Sequence, residues 1–208
     1  MKPDNARKIM GLNYFGIEEA IEHFGVIPTE EELANLTNVP FSWALLRKLK
    51  KTHILIAVFP LSIIEIRAKV RTNLFFKCWD HYKGTFLEEK EKACWRLVRK
   101  KQVTGSFMKS RLEQEKLLSE KEEMPTARVL VYTIIGQCLA HDEFLFDWGW
   151  ARTSSTDGPS EDGEFNMSIG DFHHLDGILY QFSGGLGVRV DSSDTERGNL
   201  GISSVIKP

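Results

Sequence analysis

Apolar positions recur at helical spacing through the first quarter of the chain. Ile17, Ala20, Ile21 and Phe24 fall on one helical face, and Gly25 stops that helix. Thr29 with Glu32 forms a capping box that opens a second helix with Leu33 and Leu36 as its buried side. Pro40 breaks it. Ser42 caps a third helix carrying Leu45, Leu46 and Leu49, which ends on Lys50 and Lys51, cations that suit a helix C-terminus. Residues 1–13, ahead of these, read as a frayed leader.

A continuous apolar run from His53 to Phe59 has the pattern of a strand buried on both faces. After Pro60, Ser62 and Glu65 form another capping box, and Ile63, Ile66 and Val70 line one face of the helix it starts. Residues 73–92 carry no readable period. Ala93 to Val98 reads as a strand, and residues 106–122 read as a charged helix with Leu112, Leu117 and Leu118 as a thin stripe. Pro125 suits the first turn of the next helix. There Val129, Leu130, Tyr132, Ile134, Ile135, Cys138 and Leu139 are too many for one face, so this helix is expected to be buried all round. A strand over 128–135 is the competing reading.

From about residue 143 the period changes from helical to alternating. Trp148 and Trp150 share one side of a strand and read as core. Phe165, Met167 and Ile169 alternate with Asn166, Ser168 and Gly170, the signature of a half-buried strand. Asp176-Gly177 is a hairpin signal followed by alternating Ile178, Tyr180 and Phe182. Strands at 187–190 and 200–206 complete an antiparallel meander. The expected fold class is therefore α+β: a helical N-terminal body followed by an antiparallel β-rich C-terminal meander, divided as 1–75 and 76–208 with the β-rich tail inside the second part.

Composition sharpens that division. Only four of the 27 Lys and Arg residues but 11 of the 29 Asp and Glu lie after residue 142, leaving the tail at net −7 and the body at +5. Ten of the 16 glycines lie there too. Nucleic-acid affinity rests on cations, so the tail is a poor phosphate grip. In the body, Arg47, Lys48, Lys50 and Lys51 on the 42–51 helix are the candidate contact with nucleic acid, although no Asn, Gln or Arg cluster for base edges stands at its start. Three cysteines make no even disulfide framework. No apolar N-terminal segment and no run of ~20 apolar residues is present, so a soluble, cytoplasmic protein without a membrane partner is expected.

Signals for chemistry are sparse. Cys78/His81 and Cys138/His141 are two Cys-x-x-His pairs of the kind that hold tetrahedral zinc, but Cys138 falls on an apolar helix, where a thiol acts as a small hydrophobe. Asp171, His173, His174 and Asp176 cluster in sequence, yet alternation splits them between two faces. Asp191, Asp194 and Glu196 offer oxygen ligands to calcium without the spacing of an EF-hand loop. No nucleophile elbow and no His-Glu-x-x-His occurs, so no enzyme and no cofactor is indicated.

The segments Thr52-His-Ile-Leu-Ile-Ala-Val-Phe-Pro-Leu-Ser-Ile-Ile, Trp95-Arg-Leu-Val-Arg-Lys and Glu123-Met-Pro-Thr-Ala-Arg-Val-Leu-Val-Tyr-Thr-Ile-Ile-Gly resemble a family of hypothetical proteins from uncultured bacteria with small genomes. So do the tail stretches that begin at Trp150, Ser168 and Gly198. That family implies no activity. The tail also resembles the variable ends of proteins diversified by retroelements, which display changeable side chains on a C-type-lectin-like scaffold. That resemblance implies a recognition surface rich in Asn, Asp, Ser, Gly, His and Tyr, whose adaptable hydrogen bonding serves binding as in antibody paratopes. The expected function is a non-enzymatic module that binds a protein or small ligand through His173, His174, Tyr180, Asp191, Ser193, Asp194 and Arg197. The alternative is a nucleic-acid-associated protein using the 42–51 helix.

Overall fold

Helices begin where side chains cap them. The computed structural model describes residues 1–75, 79, 82, 84–160, 163–173, 185–192 and 194–208. Residues 1–13, expected to fray, instead form helix α1 (Pro3–Met10), which buries Ala6 and Met10. Its base is tied down where the Val39 amide donates to the Met1 carbonyl at 2.8 Å. Helix α2 (Ile17–Phe24) is closed by Gly25 in the left-handed region at φ 56°. Helix α3 (Glu30–Leu36) starts where the Glu32 amide donates to the Thr29 hydroxyl at 3.2 Å and the Thr29 amide donates to the Glu32 carboxylate at 2.7 Å. Ser42 caps α4 (Trp43–Leu49), and the Ser62/Glu65 box opens α5 (Ile63–Lys69).

The long charged helix expected over 106–122 is a correction. Only α6 (Arg111–Glu115) is helical there, and the Leu112 side of the expected stripe is 68% exposed, while Gln114 is fully buried. Gly105 and Met108 take left-handed φ values of 79° and 54°, which breaks any earlier start. Two Ser-x-x-Glu boxes then restart the chain, Ser110/Glu113 at the head of α6 and Ser119/Glu122 after it.

Helix α7 (Ala127–His141) is helical, not a strand, and every residue from Ala127 to Cys138 is buried. It touches two sheets at once. The first has the order β1-β2-β3-β9-β4, comprising β1 (Tyr14–Phe15), β2 (His53–Val58), β3 (Cys94–Arg99), β4 (Glu122–Glu123) and β9 (Val205–Ile206). β1 is parallel to β2, and the other pairings are antiparallel. The second has the order β7-β6-β5-β8, from β5 (Trp150–Ser160), β6 (Gly163–His173), β7 (Gly185–Ser192) and β8 (Leu200–Ile202). α7 meets β1 and β2 on one side, β5 and β6 on the other, and α2 besides. Phe15, Phe24 and Tyr132 stack where α2 meets α7, with ring centroids 4.6 to 6.1 Å apart.

The fold is α+β, but its tail is not one antiparallel meander. The closing strand expected over 200–206 splits: β8 runs parallel to β5 in the second sheet, and β9 returns to the first. The division at residue 75 separates no two cores, because β2 and β3 pair across it over six residues and one apolar cluster runs from Ala6 to Ile206. Trp148, expected in the core, is 84% exposed in the turn before β5. Gly149, at φ 159°, breaks the alternation that linked it to Trp150. No helix among the described residues is long and apolar enough to cross a membrane.

One buried cation anchors α7. Arg128, in its first turn and 2% exposed, donates to the Phe59 carbonyl at 3.0 Å and the Leu61 carbonyl at 3.2 Å, and it pairs with Glu91 at 2.5 Å. Arg128→Met strips those carbonyls of their donor and is expected to lower the unfolding free energy by about 3 kcal/mol. Urea denaturation checks this, and a loss below about 1 kcal/mol would show that the ion pair does not anchor the helix.

His53, which opens β2, is 3% exposed, and its pKa is pushed down to about 4, first by burial and then by Arg99, with Glu122 opposing. The unfolded chain therefore takes up this proton before the folded one does. Stability referable to His53 is full above pH about 6.5 and falls as the pH drops towards about 4, by up to roughly 3 kcal/mol. Urea midpoints measured at both ends of that window should diverge in the wild type by more than in His53→Gln; equal pH slopes in the two proteins would contradict it.

Candidate functional site

The second sheet has two unlike faces. Side chains alternate along a strand, and residues paired across antiparallel strands share a face. The register Arg152–Ser168–Arg189 and Asn166–Asp191 therefore gathers those five residues on one side. Ala151, Met167, Ile169 and Val188 occupy the other and join the core. Sheets that face solvent carry such polar rows exposed, but here Arg152, Asn166, Ser168 and Asp191 are all at most 2% exposed.

Two elements cover the polar face. From α6, the Gln114 amide donates to the carbonyls of Ser106 at 2.7 Å and Leu200 at 3.0 Å, while its oxygen accepts from Arg152 at 2.9 Å. Arg111, one turn earlier, pairs with Glu115 at 2.8 Å and donates to the Asn166 side-chain oxygen. From the end of β7 and the loop after it, the Ser192 and Thr195 carbonyls accept from the second Arg152 nitrogen at 3.3 and 2.9 Å. Arg152 thus fastens helix and loop to the sheet.

Charge on this face is concentrated. The Asp191 carboxylate is wholly buried, accepts from Arg189 Nε at 2.7 Å and stands 3.8 Å from Arg197 Nε. The Arg189 guanidinium lies 4.5 Å from the centroid of the Trp150 ring. That ring fits only because residue 187 is glycine: a Cβ there would come within 2.6 Å of it. Burial lowers the pKa of Arg152, with Arg111 and Arg189 pushing the same way and Asp191 opposing; Arg189 is lowered likewise, by burial first, with Arg197 adding to the effect. Both guanidiniums remain protonated in any ordinary buffer.

Among the described residues, five buried polar atoms of this face have no hydrogen-bond partner: Arg152 Nε, Asn166 Nδ2, Ser168 Oγ, Arg189 NH2 and Asp191 Oδ1. Four of the five are able to donate. Native interiors leave few such groups without a protein, water or ion partner, so this concentration of unpartnered donors is unusual. A cleft of about 380 Å³ opens beside α6, lined by Arg96 and Arg111 together with Glu91, Glu115 and Glu123, and the five residues of the polar face are not part of its wall.

The sequence-predicted residues divide around this site. Asp191 is inside it, half of the pair with Arg189. Asp194 and Arg197 lie in the covering loop, exposed and half-exposed, with the Arg197 side chain 54% accessible. His173 ends β6, where only its backbone pairing with Gly185 is described, and His174, Tyr180 and Ser193 lie outside the described residues. The calcium reading of Asp191, Asp194 and Glu196 meets a carboxylate already engaged by two arginines. Cys78 and His81 lie outside the described residues. Cys138 is buried with its thiol pushed up to about 11 by burial, and His141 Nε2 lies 3.4 Å from the Tyr14 carbonyl. Among the described residues no group of three or more His, Cys, Asp or Glu side chains is placed to hold a metal. On α4, Arg47 stacks over Trp43 at 5.6 Å.

Sequence reasoning missed Arg152, Ser168, Arg189 and Gln114. The first three were legible as the polar half of strand alternation, but the alternation implied solvent on that side.

No family model, no curated protein and no solved structure matches this chain. Its function is therefore argued from the site itself.

Gln114 carries three buried hydrogen bonds at once. Gln114→Leu keeps the volume, removes all three and leaves two carbonyls and one guanidinium nitrogen without partners, an expected loss of about 2–3 kcal/mol. Chemical denaturation measures it, and a change within about 0.5 kcal/mol would mean that the cover does not depend on this residue.

Proposed function

We propose that the protein is a non-enzymatic binding module that takes the anionic group of a small ligand, a carboxylate or a phosphate, under the loop that follows β7. The observation that carries this reading is the row of buried donors, Arg152 Nε, Ser168 Oγ and Arg189 NH2 in register and Asn166 Nδ2 beside them, without acceptors among the described residues. Hydrogen bonds to a charged acceptor are about twice as strong as neutral ones, and a planar guanidinium suits both carboxylate and phosphate. Two of the donors are guanidiniums of fixed charge and two are neutral, and none of the four is a base able to abstract a proton, which favours binding over catalysis.

The rim has the character of a recognition surface. Arg197 and Asp194 lie in the loop, and its Arg197 carbonyl accepts from the Met108 amide at 3.1 Å. Met108 is 62% exposed, and Trp148 stands one residue before Gly149, which abuts the Asn199 carbonyl. Exposed aromatic and Met side chains beside charged ones are the usual makings of a contact surface. On this reading the tail's resemblance to diversified binding ends applies to the loop and its neighbours, with Asp191 as framework beneath them.

The test compares thermal unfolding in sodium phosphate, sodium acetate and sodium chloride at equal ionic strength. At least one of the oxyanions is expected to raise the midpoint by a few degrees over chloride, as mass action on a folded-state site requires. Ser168→Asp places a carboxylate between Arg152 and Arg189 and is expected to raise the midpoint in chloride while abolishing the response to oxyanion. Identical wild-type midpoints in all three salts would refute the site.

A further inference from the structure

A second, chemically different pocket lies on the first sheet. Between α4 and the β4–β9 edge opens a cleft of about 750 Å³, within the range that holds a drug-sized ligand. Phe41, Leu45 and Ile206 give it an apolar wall, Lys48, Arg99 and Lys121 a cationic border, and His53 lines it from the first position of β2. Two acids also border it. Glu122 is committed, accepting from the Ser119 amide and hydroxyl at 3.1 and 2.9 Å and from the Ser204 hydroxyl at 2.8 Å; Glu120 is exposed.

The Thr52 hydroxyl lies 3.2 Å from the Leu49 carbonyl and 2.9 Å from His53 Nδ1. With its one proton on the carbonyl it accepts from Nδ1–H, and that tautomer, which leaves Nε2 a bare lone pair, is the one a donating ligand requires. Nε2 is buried and meets no donor among the described residues. Burial first, and the neighbouring Arg99 second, hold the ring neutral.

We propose that this cleft binds an amphiphilic organic anion whose apolar, aromatic-sized body lies along Phe41, Leu45 and Ile206, whose N–H donates to His53 Nε2, and whose acidic group meets Lys48, Arg99 and Lys121. Each part of that ligand answers one feature of the cleft: the wall selects the body, the lone pair selects a donor, and the border selects negative charge. The site is independent of the oxyanion face, because it uses the other sheet and shares no residue with it.

Anilinonaphthalene sulfonate, which joins an aromatic body, an N–H and an acidic group in one molecule, is the probe. Nitrogen NMR of labelled imidazole should show the Nδ1–H tautomer of His53 in the free protein. Titration should saturate at one equivalent for this site and move the Nε2 signal more than Nδ1. Lys48→Glu with Lys121→Glu alters two exposed side chains and is expected to weaken binding about tenfold, and His53→Phe should weaken it while leaving the apolar wall in place. An Nε2–H tautomer, fluorescence saturation without movement of the His53 signals, or unchanged affinity in the double lysine variant would overturn the proposal. Binding that shifts only residues of β5 to β7 would assign the probe to the oxyanion face and likewise overturn it.

Discussion

Helix α7 is buried on every side from Ala127 to Cys138, and that constraint shapes the rest of the molecule. A helix with one wet face needs one covering layer, but a helix buried from Ala127 to Cys138 needs cover all round. The chain supplies it with a sheet on each flank and α2 across a third side. Gly136 shows how closely these layers press, since a Cβ there would sit 3.0 Å from the Phe15 ring. Arg128 then sets the height of the helix by binding two carbonyls that follow β2. Burial supplies the driving force, whereas the Arg128 bonds select one position along the helix axis.

The second sheet pays for its place with an awkward geometry. Its apolar face is spent on α7, and the opposite face is polar by strand alternation yet is roofed by α6 and the loop after β7. A roof of five helical residues and a short loop buries little apolar area, so its attachment rests on hydrogen bonds, and Arg152 and Gln114 supply most of them. Arg152 therefore has a structural task in holding the roof, whereas the Ser168 hydroxyl is buried without a hydrogen-bond partner among the described residues.

Much of the fold was legible in the sequence, because caps and periods are local. The Thr29, Ser42 and Ser62 caps, the buried β2 run and the all-round burial of the 127–141 helix each depend on side chains within a few residues of one another. What failed was non-local. The polar half of β5 to β7 looked like a wet face, since nothing in the strands themselves says that α6 will cover them from 38 residues away at Gln114. The split of 200–206 between two sheets was equally hidden, because both halves are short apolar stretches and nothing in them says which sheet edge each will meet. The charged 106–122 stretch failed for a different reason: its Ser110/Glu113 and Ser119/Glu122 boxes were visible, but helix-forming residues between them masked the restart. Of the residues read as candidates, Asp191 lies in the polar face and Asp194 and Arg197 in the loop over it, whereas Arg152 and Arg189 had not been read as candidates.

That split also joins the polar face to the His53 cleft. β8 supplies the Leu200 carbonyl held by Gln114 beneath the oxyanion face, and four residues after β8 ends, Ile206 of β9 forms part of the apolar wall of the His53 cleft. The connection is fastened at each step: the Val103 amide donates to the Ile202 carbonyl at 2.8 Å, the Ser203 hydroxyl to the Arg99 carbonyl at 3.2 Å, and the Arg99 amide to the Ser204 carbonyl at 2.9 Å. Ser203 and Ser204 are fully buried. A link this short, bonded at every residue and shut off from water has no slack to absorb movement at either end. It holds the polar face and the cleft in one frame, and for the binding proposed at each, preformed geometry means that ordering costs are met in folding.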